Sequence, residues 1–208
     1  MEKTRIEAFS DGVMAVAITL LVLDLSIPIA RPGELAVQLA HEWPRFAAYA
    51  VSFLVIGIIW VNHHTLFSLL RRVDRPLLFV NLSLLAVVVL IPFGTALLAD
   101  NLSRGGSNAK LAAAVYSAIS LLMAVGFSAM YVYMTRDGRL LRPDVDLAAA
   151  RASRLRFGGG GIVYLALVGV AFLNPYVTLA CHFALAGYYV FNRLPVPLSP
   201  AAAEEADS

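Results

Sequence analysis

Charged residues are scarce in this sequence of 208 amino acids. Asp, Glu, Lys and Arg make up only 14% of the chain, whereas they make up about 25% of an ordinary soluble domain. Hydrophobic residues make up 60% of it. The long apolar runs exclude a soluble domain and are typical of an integral membrane protein. The formal net charge of +2 gives no reason to expect a nucleic-acid partner.

The sequence also lacks the residue patterns of disulfide-bonded proteins and enzymes. Cys181 is the single cysteine, which excludes an intrachain disulfide and leaves the redox compartment open. A Ser-His-Asp order, a glycine-rich phosphate loop and an HExxH zinc signature are all absent. His63 and His64 are adjacent and point about 100° apart on a helix, so we expect no metal site there. The sequence predicts no catalysis, no cofactor and no small-molecule substrate.

Six apolar runs alternate with polar connections. About 20 residues at 1.5 Å per residue cross the ~30 Å hydrocarbon layer; the fifth and sixth runs are shorter and are joined by Asn174-Pro175. We predict an all-α membrane protein in which residues 1–193 form a six-span transmembrane domain. A disordered cytoplasmic tail follows at residues 194–208. The predicted spans are residues 8–29, 45–70, 77–99, 111–135, 157–173 and 176–192.

The positive charges predict the orientation of these spans. Six spans place both termini on one side of the membrane, and the loops on that side carry twelve of the 16 Lys and Arg residues. By the positive-inside rule both termini are cytoplasmic, in a multi-pass protein of the cell (inner) membrane. The twelve are Lys3, Arg5, Arg71, Arg72, Arg75, Arg136, Arg139, Arg142, Arg151, Arg154, Arg156 and Arg193.

The first run has an apolar stripe along one side of its predicted helix. At 100° per residue, Ser10 and Asp11 lie about 130° from the centre of the stripe, and Asp24 lies about 90° from it. Such a stripe is able to face lipid, protein or a narrow pore, and the helical wheel alone favours ordinary apolar packing. Its members are Val16, Thr19, Leu20, Leu23 and Ile27, and it also includes Gly12.

Asp11 is a candidate functional residue because a carboxylate inside a membrane span is expensive unless it faces protein or water. It lies about six residues inside Arg5, and His64 and Asn81 lie at a similar depth, about 7–11 Å from the cytoplasmic end. A buried carboxylate needs hydrogen-bond donors. We therefore predict that Asp11, His64 and Asn81 meet in a buried polar cluster.

The start of the chain also carries a specific motif. Arg5, Phe9, Ser10 and Asp11 read as RxxxFSD, followed by GVMAVAITLLVLDL. Over about residues 3–25 the sequence closely resembles the signature of the transmembrane protein 175 family of potassium channels. Further segments resemble the second and third spans of prokaryotic members: Trp60-Val61-Asn62-His63-His64, Asp74-Arg75-Pro76, Asn81 and Ile91-Pro92-Phe93.

The resemblance implies a function for the first span. It implies a potassium channel that assembles with copies of itself, as a tetramer, with the first helix of each subunit lining a central pore. The stripe would then form a hydrophobic constriction and a ring of Thr19 hydroxyls, with potassium as a transient permeant ion. Because the sequence has no TVGYG-type carbonyl filter, we expect only modest selectivity for potassium over sodium. Membrane lipid is the other expected partner.

Two other functions are compatible with six spans. A secondary or proton-coupled transporter would use Asp11 and His64 as a proton relay, although transporters commonly show internal repeats and a site at the bilayer midplane. The chain has no such repeat, and its acids lie nearer the two membrane faces. A structural scaffold would conduct no ions.

Overall fold

The apolar runs fold into helices. The computed structural model describes residues 2–25 and 32–192, and within these ranges the chain forms nine α-helices and a short 3-10 helix after α1, Leu21–Asp24. The helices are α1 Lys3–Leu20, α2 Leu35–His41, α3 Trp43–Ser68, α4 Arg75–Val88, α5 Ile91–Leu102, α6 Gly106–Met134, α7 Leu147–Ala152, α8 Arg154–Leu173 and α9 Pro175–Phe191.

The helices begin and break where the local sequence requires it. Asp74 caps α4 by accepting a hydrogen bond from the Leu77 amide, and Asn174 caps α9 in the same way, with Pro175 at its first position. The predicted third span is divided into α4 and α5 just before Pro92. A proline has no N–H to donate to the carbonyl four residues back, so a continuous apolar segment becomes two helices.

Four helical stretches are long and apolar enough to cross a membrane. They are Lys3–Leu23, Trp43–Ser68, Arg75–Leu102 and Gly106–Met134, and they coincide with the first four predicted spans. The apolar part of α8, Gly158–Leu173, is shorter, and α9 has 17 residues. The helix α8 runs through its glycines, and at Gly160 the Tyr189 hydroxyl approaches so closely that a Cβ would lie 3.1 Å from it. The predicted tail, 194–208, lies outside the described residues.

Loops that are predicted to lie on the same side of the membrane meet at the same end of the bundle. Lys3 donates to the carbonyl of Leu70 (3.2 Å), and the Leu70 and Leu141 segments are joined by backbone hydrogen bonds. We call this end of the bundle the basic end. At the opposite end, the Tyr176 hydroxyl donates to the Leu102 carbonyl (2.8 Å). Consecutive long helices therefore run in opposite directions, as the distribution of Lys and Arg over the loops predicts.

Asp74 fastens two helices together at the basic end. Its carboxylate accepts hydrogen bonds from the Tyr133 hydroxyl (2.7 Å) and from Arg139 (2.8 Å). Desolvation raises the pKa of Asp74, but these hydrogen bonds, the Leu77 amide and the charge of Arg139 outweigh it and hold the pKa below its ordinary value. The stability gained from this carboxylate is therefore present at neutral pH and is lost as the pH falls through that lowered pKa.

Candidate functional site

Helix α1 buries one face against its own chain and leaves the other uncovered. The buried face is Ile6, Ser10, Met14, Ala17 and Leu21. The predicted stripe lies about 135° around the helix, and its described members Val16, Thr19, Leu20 and Leu23 are all exposed. Val16 is 57% exposed and Leu23 is 70% exposed. Packing within the described part of this chain is therefore excluded for the stripe, which leaves lipid, another copy of the chain or a pore.

The exposed surface of α1 is wider than the predicted stripe. Val22, which lies about 110° from the centre of the stripe, is half exposed (52%) at the edge of this surface, whereas Ile18 packs against the core. Ile27, the last predicted member of the stripe, lies outside the described residues. Ile18 is therefore the better reference for a packed position on this helix.

The hydroxyl of Thr19 lies on the exposed face of α1. It donates to the carbonyl of Val16 at 2.8 Å. The hydrogen is thus directed back along the helix, and the oxygen lone pairs remain free on the exposed face. Hydroxyl oxygens of this kind are able to replace part of the hydration shell of a small cation.

Beneath the exposed face lies a buried polar cluster made of Ser10, Asn81 and His63. The Asn81 amide nitrogen donates to the Ser10 hydroxyl (3.0 Å), and its amide oxygen lies 2.8 Å from His63 Nε2. Because this oxygen is an acceptor, His63 Nε2 carries the hydrogen and donates it. The three residues are at most 2% exposed. The cluster links α1 to α3 and α4 on the side of α1 that faces its own chain.

The predicted cluster contained the wrong histidine. His64 is exposed, and within the described residues no hydrogen bond joins it to Asp11 or Asn81. The buried residues of α3 include Ile56, Ile59, His63 and Phe67, a helical spacing that contains position 63 and not 64. That pattern was the signal in the sequence that identifies the buried histidine. The described residues therefore provide no direct hydrogen bond for the alternative of a proton relay between Asp11 and His64.

Asp11 has a different partner from the predicted one. It is half-buried, and its carboxylate accepts a hydrogen bond of 3.0 Å from the indole N–H of Trp60 on α3. Arg5 and Phe9, the other signature residues, are exposed. The four signature residues therefore have different surroundings. Ser10 faces the core of its own chain, and Asp11 links α1 to α3. Arg5 and Phe9 lie on the exposed surface.

Asp11→Ala should reduce thermal stability or assembly and leave ion preference unchanged. The substitution removes the acceptor of the Trp60 N–H, and because the Trp60 side chain is 49% exposed in the chain, we expect a loss of about 1 kcal/mol. Asp11→Asn keeps an acceptor oxygen and should recover most of the loss. Melting of the purified oligomer, followed by size-exclusion chromatography, measures the effect. A normally assembled Asp11→Ala variant that has lost its ion preference would instead place Asp11 in the permeation path.

Comparison with known proteins relates this geometry to characterised channels. Residues 5–92 match the sequence model of the family described as endosomal/lysosomal potassium channel TMEM175. A protein named potassium channel from Streptomyces collinus is 53% identical over 203 residues, covering 97% of this chain and 98% of the relative. Another potassium channel, from Chamaesiphon minutus, is 39% identical, covering 92% of this chain and 95% of that one.

A solved structure also has the same fold. The crystal structure of a lysosomal potassium-selective channel TMEM175 homolog from Chamaesiphon minutus superposes with a TM-score of 0.80 at 36% identity. The superposition covers 91% of this chain and 96% of that one. The likeness therefore extends over the whole helical bundle as well as the signature.

Proposed function

Since the chain belongs to the TMEM175 family, we propose that it is a potassium channel whose subunits assemble around a pore lined by α1. It is a multi-pass membrane protein, and its function is ion permeation rather than catalysis. Potassium is the permeant ion, as in the names of its bacterial relatives. The observation that carries the proposal is the uncovered face of α1.

Assembly would convert this face into a constriction. Soluble and membrane homo-oligomers are usually closed and symmetric, so each α1 residue is repeated around the axis. In a tetramer, four copies of Val16, Leu20 and Leu23 form apolar rings that gate by size and wetting, and the Thr19 hydroxyls form a ring of oxygens between them. Four hydroxyls replace only part of an ion's hydration shell. Selectivity for potassium over sodium is accordingly modest.

The proposed topology has six spans, with both termini on the cytoplasmic side of the cell membrane. It is supported by the meeting of Lys3, Leu70 and Leu141 at one end of the bundle and by the excess of arginine in the loops of that end. In this arrangement α8 and α9 are the fifth and sixth spans.

A reporter fused after Arg193, or inserted near Asp144, should be cytoplasmic, and one inserted at Gly105-Gly106 should be outside. Both glycines have positive φ values, 69° and 72°, in a tight exposed turn that tolerates insertion. Paired alkaline phosphatase and green fluorescent protein fusions report the two sides. A cytoplasmic reporter at Gly105-Gly106 would contradict the six-span topology.

Single-channel recording tests the function directly. The purified protein in a planar bilayer, with potassium on one side and sodium on the other, should show unitary current steps and a reversal potential displaced towards that of potassium. A carrier would turn over without discrete steps, and a scaffold would pass no current. Either of these results would overturn the proposal.

A further inference from the structure

A cavity on the side of the bundle away from α1 takes no part in the proposed pore. It has a volume of about 560 Å³ and lies between α3, α6, α8 and α9, whereas α1 packs chiefly against α3, α4 and α5. Sites for small ligands typically occupy about 300–1,000 Å³. The cavity is therefore large enough to hold an organic molecule or part of a lipid.

The cavity is apolar inside and polar at the basic end. Its deeper wall is formed by side chains such as Val55, Met123 and Val163, and its polar lining includes Ser153 and Asn192. Ser153 immediately precedes α8 and Asn192 immediately follows α9, so both lie where these helices end. Tyr188 and Tyr189, in the last turn of α9, also line it. Tyrosines are enriched at the level of lipid headgroups. The polar end of the cavity, which we call its mouth, is therefore at headgroup depth, and the apolar interior is at acyl-chain depth.

Two arginines close to Ser153 in the sequence, Arg151 and Arg154, have no carboxylate partner among the described residues, although neither lines the cavity itself. Arg151 donates to the carbonyls of Thr135 and Arg136, and Arg154 donates to the Thr135 hydroxyl (2.9 Å). Within the described residues neither forms a salt bridge with a carboxylate. Each guanidinium has five N–H donors, and its hydrogen bonds to neutral oxygens leave its charge uncompensated. The mouth is therefore suited to an anionic group, and phosphate is the one that lies at this depth in a membrane.

The outer faces of α8 and α9 are suited to lipid rather than to water. Large apolar side chains on α8 and α9 are exposed in the chain, among them Ile162, Leu165, Phe172 and Phe183. A surface of this kind on helices is stable in contact with acyl chains. Val163 and Tyr188 line the cavity and are themselves exposed, so the cavity opens to the surroundings of α8 and α9.

We propose that the cavity binds one anionic phospholipid per subunit. An acyl chain lies between α3, α6, α8 and α9, and the phosphate lies at Arg151 and Arg154. This lipid joins the outer helices α8 and α9 to α3, which also carries His63 and Trp60. The inference requires only that the bundle lies in a membrane, so it does not depend on α1 lining the pore.

Blocking the cavity tests the acyl-chain part of the proposal. Gly159 lines the cavity, and a Cβ added there meets no atom within 4 Å. Gly159→Leu should displace the lipid without disturbing α8. The matched control is Gly169→Leu on the same helix, which also has open space at its Cβ and does not line the cavity. Native mass spectrometry of the full-length oligomer with added dioleoyl-phosphatidylglycerol measures lipids bound per subunit.

The expected result is one phosphatidylglycerol per subunit in the parent and in Gly169→Leu, and a severalfold loss in Gly159→Leu. Equal retention by all three proteins would overturn the proposed site. Dissociation of the oligomer by Gly159→Leu alone would also overturn it, because the cavity would then be a contact between subunits.

Removing the positive charge tests the headgroup part. Arg151→Gln should weaken phosphatidylglycerol retention about fivefold, the effect of one charge near an anionic membrane surface, and should leave binding of dioleoyl-phosphatidylcholine unchanged. Arg104→Gln, at the opposite end of the bundle, is the control and should retain lipid like the parent. A parent that binds phosphatidylcholine as well as phosphatidylglycerol would show that the arginines do not select the lipid.

Discussion

Leu23→Ala should raise the unitary potassium conductance severalfold. Leu23 is the most exposed large side chain of the stripe, and in a symmetric assembly its truncation is repeated in every subunit, which widens the apolar ring and eases its wetting. Because the side chain is largely exposed in its own described chain, stability should change little. Planar-bilayer recording of the purified variant gives the conductance, and its melting temperature reports stability.

Thr19→Val separates ion preference from pore size. Valine has nearly the shape of threonine and lacks the hydroxyl oxygen, so the ring keeps its width and loses its ligands. We expect a reversal potential nearer to zero in the potassium-sodium gradient, with an intact oligomer. The hydroxyl's hydrogen bond to Val16 is internal to the helix, so its loss should not disturb assembly.

Ile18→Ala is the matched control for both changes because Ile18 packs against the core of its own subunit. It should cost stability, roughly 0.5–3 kcal/mol as for most substitutions at packed positions, and leave conductance and selectivity as in the parent. If Leu23→Ala and Thr19→Val conduct and select like the parent while Ile18→Ala does not, α1 is turned the other way and the stripe faces lipid or protein. Val22 lies at the edge of the exposed surface, so the conductance of Val22→Ala shows whether the part of α1 that faces the pore extends to this position.

Asn81→Ala should cause the largest loss of stability of any single change considered. Asn81 accepts a hydrogen bond from His63 Nε2–H and donates one to the Ser10 hydroxyl. The substitution therefore leaves two buried polar groups unpaired, and each costs about 1–3 kcal/mol of unfolding free energy. All three residues are at most 2% exposed, so water has little room to replace the lost partners. Thermal unfolding of the oligomer in detergent, monitored by fluorescence-detected size-exclusion chromatography, measures the change.

Ser83→Ala on the same helix is the control for Asn81→Ala. The Ser83 hydroxyl is exposed and donates only to the Phe79 carbonyl of its own helix, so its removal should change stability by less than about 0.5 kcal/mol. Ser10→Ala should fall between the two, since it unpairs only one donor. An Asn81→Ala protein that melts with Ser83→Ala would show that the buried cluster does not hold α1 in place.

The sequence by itself determined the class of the protein, and it singled out the helix that we propose to line the pore. Runs of about 20 apolar residues with few charges have one stable arrangement in a bilayer, because only a helix satisfies every backbone hydrogen bond within the segment. The stripe on α1 followed from its 100° periodicity, and residues 5–11 carried the family resemblance. These features are local, so a window along the chain contains them.

Only the tertiary structure decided which polar residues meet. His63 and His64 have the same chemistry and nearly the same depth, and they differ in direction by about 100°. Depth along each helix gave the right level in the membrane, but the rotation of α3 and α1 about their own axes selected His63 for Asn81 and Trp60 for Asp11. That rotation results from the packing of whole apolar faces, such as Met14 and Ala17 of α1, and is a property of helix pairs. The spacing within α3 marks which of its own faces is buried, but it does not give the residue of a neighbouring helix that this face meets, so the pairs in the buried cluster came from the fold.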